Sequence, residues 1–112
     1  MAVYTSNLTI NTGTTFSQVF TLESAATNSA TDLTGFTANA QMRKHADAVT
    51  FTNFTTQIIN PTSGIIRVGL TTSQTAALKP GRHVYDVLIT DTSGEVTRVL
   101  EGSVLVRQGA TR

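Results

Sequence analysis

The chain has 112 residues and a net charge of +1, so one hydrophobic core is expected, with no room for a separate cofactor domain. Charged residues are only 13% of the chain and form no large Lys/Arg cluster, which excludes the electrostatic footprint of a nucleic-acid binder. The absence of cysteine excludes a disulfide framework and thiolate metal sites, and the 39% hydrophobic share argues against disorder.

Polar surface must come from uncharged residues. Threonine, about a fifth of the chain, supplies it and favours pleated strands, because its branched Cβ suits a sheet better than a helix. The opening Met1-Ala-Val-Tyr-Thr-Ser6 has neither a basic segment nor an apolar stretch of signal-peptide length, and no run reaches transmembrane length. A soluble protein made in the cytoplasm is expected, with residues 1–6 as a short N-terminal arm. Asn7-Leu-Thr9 and Asn53-Phe-Thr55 match the glycosylation pattern, as chance provides in a Thr-rich chain.

Leu8 and Ile10 alternate with Asn7, Thr9 and Asn11 in the period-2 pattern of a half-buried strand, which Thr12-Gly-Thr14 breaks. Phe16, Phe20 and Leu22 share the inward face of the next strand, with Val19 pointing the other way. Ser24 to Thr34 reads as a loop rich in Ser, Thr, Asn and Ala. Phe36, Ala38, Ala40 and Met42 then alternate with Thr37, Asn39, Gln41 and Arg43, before a turn over Lys44 to Ala48. Val49 and Phe51 hold one phase and Phe54, Thr56 and Ile58 the opposite one, so a bulge or break near Asn53 is predicted.

Asn60-Pro-Thr-Ser-Gly64 is a turn, since proline presets φ and glycine tolerates the left-handed region. Ile66, Val68 and Leu70 form the next inward face, followed by one helical turn over Thr71 to Leu78 that crosses between sheets and is closed by Lys79-Pro-Gly81. His83, Tyr85, Val87 and Ile89 alternate with Val84, Asp86, Leu88 and Thr90, so both faces carry bulk and a central strand is predicted. Asp91-Thr-Ser-Gly94 closes a hairpin onto a long last strand from Val96. Its even positions Leu100, Val104 and Val106 face inward, and Gly102 marks a bend or bulge. Gln108 to Arg112 reads as a free tail. About seven strands with closely spaced turns and one short crossover helix predict an all-β, immunoglobulin-like antiparallel sandwich forming a single domain over residues 1–112.

No constellation of side chains points to catalysis. His45 and His83 lack metal-ligand spacing, and a catalytic metal needs about three protein ligands. Asp91 and Glu95 flank a turn without the alternating oxygen ligands of a calcium loop. No Gly-x-Ser-x-Gly elbow occurs, and a hydroxyl without a positioned base is inert. Glu23, Asp32, Asp47, Asp86 and Glu101 are scattered over different elements, and Arg43-Lys-His45 is too small a basic cluster for nucleic acid. Solvated turns and caps account for each, and no catalytic, cofactor-binding or metal residue is assigned.

The segment Asp32-Leu-Thr-Gly-Phe36 leading into Ala40-Gln-Met-Arg43 resembles an opening found in small bacteriophage virion proteins, including the N-terminal domain of siphophage upper baseplate proteins. The same order then brings Gly64-Ile-Ile-Arg-Val-Gly-Leu70, a Thr/Ser-rich turn ending in Leu78-Lys-Pro-Gly81, and Tyr85-Asp-Val87. The run from Gly94 through Glu101-Gly-Ser-Val-Leu-Val106 to Thr111-Arg112 is similar to their C-terminal ending. The resemblance spans roughly residues 8 to 112 and lies in the order of the elements.

It implies a non-enzymatic virion structural protein: a head decoration or cement protein, or a small tail or baseplate component. Its partners would be the major capsid protein or tail and baseplate proteins, and further copies of itself, with no cofactor, nucleic acid or membrane. Tyr85 takes a place like the tyrosine corner of sandwiches, where the hydroxyl ties the crossover to the strand. The competing expectation, from the sandwich alone, is a stand-alone carbohydrate-binding or adhesion module. The lack of tryptophan and the presence of only two tyrosines count against it.

Overall fold

The computed structural model describes residues 4–22 and 32–110. The first three residues, Glu23, the loop as far as Thr31, and Thr111-Arg112 lie outside the described residues.

Among the described residues the strands are β1 (Tyr4–Thr5), β2 (Leu8–Asn11), β3 (Phe16–Thr21), β4 (Thr37–Arg43), β5 (Thr52–Asn53), β6 (Thr55–Asn60), β7 (Ile65–Leu70), β8 (Gly81–Thr90) and β9 (Val96–Arg107), with one helix, α1 (Thr72–Ala76). β1 and β2 are two pieces of one edge, and β5 and β6 two pieces of one run, so the chain makes seven passes. One sheet has the order β1/β2-β9-β8-β4-β5 and the other β3-β7-β6. The two sheets enclose a core of Ile10, Leu22, Ile66, Val68, Val87, Ile89, Val99, Val104 and their neighbours. This is the expected all-β sandwich, two sheets packed face to face with one short crossover helix.

The period-2 patterns fall on the faces that the sequence predicts. Ala40 and Met42, Ile66, Val68 and Leu70, and Tyr85, Val87 and Ile89 are buried, while Val19 is 47% exposed. β8 is central, paired with β4 on one side and β9 on the other. α1 crosses between the sheets. Its first turn is held by a capping box in which the Thr71 hydroxyl accepts from the Gln74 amide and the Gln74 side chain accepts from the Thr71 amide. Thr75, fully buried, donates its hydroxyl to the Thr14 carbonyl at 2.7 Å and so pins the crossover to the β2–β3 turn.

Several expectations are corrected. The sandwich is not wholly antiparallel: β1 and β2 both run parallel to β9, with Tyr4 opposite Leu100 and Asn11 opposite Arg107. The arm is therefore shorter than residues 1–6. Tyr4–Thr5 is a paired strand, and the Ser6 amide donates to the Glu101 carbonyl. The tail is not free from Gln108, because the Gly109 amide donates to the Thr12 hydroxyl. The end of the Ser24–Thr34 loop is also fixed, with Leu33 fully buried and its amide donating to the Pro61 carbonyl.

The phase change near Asn53 is a change of sheet. β5 pairs with β4, Phe54 turns into the core, and β6 pairs with β7 in the opposite sheet. Val49 and Phe51 are exposed at 90% and 49%, because they precede this switch on the rim of the sandwich. The bulge of the last strand lies at Val99, where the β8–β9 register shifts, and not at Gly102. The extra residue turns both Val99 and Leu100 into the core and leaves Val96 outside.

Gly102 serves a close approach instead. A β-carbon there would overlap the Ser6 carbonyl oxygen and approach the Asn7 side chain. That carbonyl lies over Gly102, where the Tyr85 hydroxyl donates to it at 2.6 Å. Asn7 Oδ1 accepts from the Ser103 amide and bridges the break between β1 and β2. Tyr85 therefore ties the first strand to the sheet, not the crossover to its own strand.

Candidate interaction surfaces

The ionisable residues singled out in the sequence are consumed by turns and strand faces. Asp91 Oδ1 accepts from the Ser93 amide (2.9 Å), the Ser93 hydroxyl (2.6 Å) and the Glu95 amide (2.9 Å). Three donors on one oxygen build the β8–β9 turn and hold the carboxyl below the usual carboxylate range, chiefly through the Ser93 hydroxyl. Asp32 repeats the device before β4. Its Oδ1 accepts from the Thr34 hydroxyl and amide, and its carboxyl is lowered for that reason.

His83 lies with Nε2 2.9 Å from the Lys79 carbonyl; since a carbonyl only accepts, the proton sits on Nε2 and the contact closes the turn before β8. His45 and Asp47 sit in the turn after β4, where the Ala48 amide donates to the His45 carbonyl. Glu23 lies outside the described residues. No group of three or more His, Asp or Glu that could hold a metal ion occurs among the described residues.

Arg43 is likewise absorbed. Its guanidinium donates to the Ala48 carbonyl (2.6 Å) and Gln41 Oε1 (3.2 Å), and lies 4.7 Å from the centroid of the Phe51 ring. Phe51 is the one exposed large aromatic among residues whose side chains are described, and Arg43 occupies one of its faces.

One pair comes together that sequence spacing did not show. Asp86 and Glu101 are register partners on β8 and β9, and Arg98 bridges them at 3.3 and 3.8 Å. A regular hairpin about the Asp91–Gly94 turn would put Asp86 opposite Leu100; the bulge at Val99 moves it to Glu101. Without knowing the bulge, no local signal could reveal the pair. The trio is half-exposed, lines a shallow depression of about 590 Å³ with Gln41 and Arg43, and keeps one negative charge, two carboxylates sharing a single guanidinium. Around it the same outer face shows partly exposed Val84 and Leu105.

The concave places are shallow. A depression of about 570 Å³ between α1 and the β2–β3 turn is lined by Thr12, Gly13, Thr72, Ser73, Leu78 and Pro80 among others, with no ionisable side chain. Such a lining can hold a partner by shape and hydroxyl hydrogen bonds but cannot move a proton near neutral pH.

The strand edges are the remaining surface. The edge of β4 beyond the short β5 is sealed from within the chain, by the Phe54 amide to the Ala40 carbonyl (2.9 Å) and the Thr56 hydroxyl to the Ala38 carbonyl (2.7 Å). Among the described residues β3 pairs with β7 on one side only. Against known proteins, the chain matches no family model and no curated relative.

Proposed function

We propose that this chain is a non-enzymatic structural protein of a bacteriophage particle, a head decoration or cement protein or a small tail or baseplate component, working through subunit contacts. The observation that carries the reading is the ordered run from Asp32-Leu-Thr-Gly35 to Thr111-Arg112, which resembles that of small virion proteins. The surface supports it. Low charge, open sheet faces and a hydroxyl-rich exterior suit contacts that stay covered, where each desolvated charge would need a partner. Its partners in this reading are capsid, tail or baseplate proteins and further copies of itself, and its place is the virion.

A sugar-binding role draws less support, because the exposed Phe51 ring is already stacked under Arg43. Mass spectrometry of purified particles is the test. The protein is expected at stoichiometric, many-copy abundance in virions, and its absence from them overturns the proposal.

A further inference from the structure

Sheet edges are templates for pairing, and proteins blunt them with short strands, bulges, prolines or charges. Among the described residues every other edge carries such a device. β1 and β2 are short and broken at Ser6-Asn7, and β5 has two residues. β6 has a register shift between Ile58 and Asn60 and ends at Pro61. β3 carries none. Its six residues Phe16-Ser-Gln-Val-Phe-Thr21 contain no charge, proline or glycine, and all six pair with β7 in unbroken register.

The backbone of β3 also presents its bonding groups outward. The Leu22 amide donates to the Gly64 carbonyl on the β7 side, and the Phe16 carbonyl points toward Gly69, where a β-carbon would lie 2.9 Å from it. Amide directions alternate along a strand, so the even residues bond to β7 while Ser17, Val19 and Thr21 aim their N–H and C=O groups at the open edge.

We infer that β3 pairs antiparallel with β3 of a second copy of this chain across a two-fold axis at Val19, joining the two three-stranded sheets into one of six. Three features of the edge select a second copy. The strand is self-complementary about Val19: Val19 meets Val19, and Ser17 meets Thr21 with hydroxyl opposite hydroxyl. The absence of charge means that two identical edges meet without repulsion. Phe16 and Phe20 on the inner face are only partly buried and Gln18 is exposed, so a neighbouring strand covers apolar surface that this copy leaves open. The inference deepens the assembly reading and rests on it for the partner's identity.

Light scattering and hydrogen exchange on the intact chain test it. The protein is expected to be a dimer at high micromolar concentration, with the Ser17, Val19 and Thr21 amides protected in a concentration-dependent way. Val19→Lys, at an exposed position on the outer face, is expected to keep the far-UV spectrum and melting of the parent while weakening association about tenfold or more, since like charges then meet at the axis. Val19→Cys, in a chain with no other cysteine, is expected to oxidise to a disulfide-linked dimer faster than Val49→Cys, whose side chain is fully exposed on the rim. A strict monomer at all concentrations overturns the inference. So does a dimer that Val19→Lys leaves intact and Val84→Lys on the other sheet dissociates. A monomer that is nevertheless abundant in particles removes the β3 pairing and leaves the particle reading standing, and a β3 dimer absent from particles does the reverse.

Discussion

At Gly102 the lack of a side chain lets the Ser6 carbonyl approach the sheet closely, and Tyr85, directly opposite Gly102 in the β8–β9 register, supplies the donor that this partly buried acceptor needs. A carbonyl shielded from water without a partner is costly, so the hydroxyl and the empty position act as one device. Tyr85→Phe is expected to destabilise the fold by about 1 kcal/mol in urea unfolding, with faster hydrogen exchange across β1 and β2. The hydroxyl also sets a pH limit. Burial raises its pKa above the usual 10.0. A raised folded-state pKa favours the protonated form, so the contribution is fully present below the unfolded pKa and is lost as pH rises through the folded one. Stability of the parent is expected to fall above about pH 10, and Tyr85→Phe to show a shallower fall, in denaturation at a series of alkaline pH values.

At the scale of elements the sheet switch between β5 and β6 is the pivotal joint. Phe54 enters the core there at 6% exposure, with its ring 6.1 Å from Phe16 and 6.2 Å from Tyr85, centroid to centroid, while its amide closes the edge of β4. Phe54→Ala is expected to cost about 3 kcal/mol or more, whereas Phe51→Ala, at a half-exposed position three residues earlier, costs far less; chemical denaturation of both checks this. The strands with strict alternation, β4, β7 and β8, and the short helix were legible because their signals are local: side-chain period, turn residues and the Lys79-Pro-Gly81 stop. The switch at Phe54 was legible only as a slip of phase, since a bulge and a change of sheet leave the same mark on a sequence. The bulge at Val99 and the parallel first strand left no mark, because both are decided by which distant backbone is adjacent. The same holds for the Asp86–Arg98–Glu101 trio, whose members meet only through that bulge.

At the scale of the whole molecule, stability rests on apolar burial and backbone pairing. The ion pairs among the described residues are both made by Arg98, whose side chain is 53% exposed, and exposed pairs of this kind contribute little. Raising sodium chloride from low to molar concentration is therefore expected to reduce the unfolding free energy by less than about 1 kcal/mol, as read by urea titration at each salt level. The parallel pairing of β1 and β2 with β9 has a kinetic meaning. Tyr4 and Leu8 find their partners at Leu100 and Val104, so the chain between them must be collected before this edge can form. Such distant closure is entropically expensive at the start and rewarded only late, which places this fold among slow, high-contact-order folders. Residues 4–11 leave the ribosome long before residues 100–107, and during that interval Leu8 and Ile10 have no native strand to lie against. The last strand made is the one that completes the first.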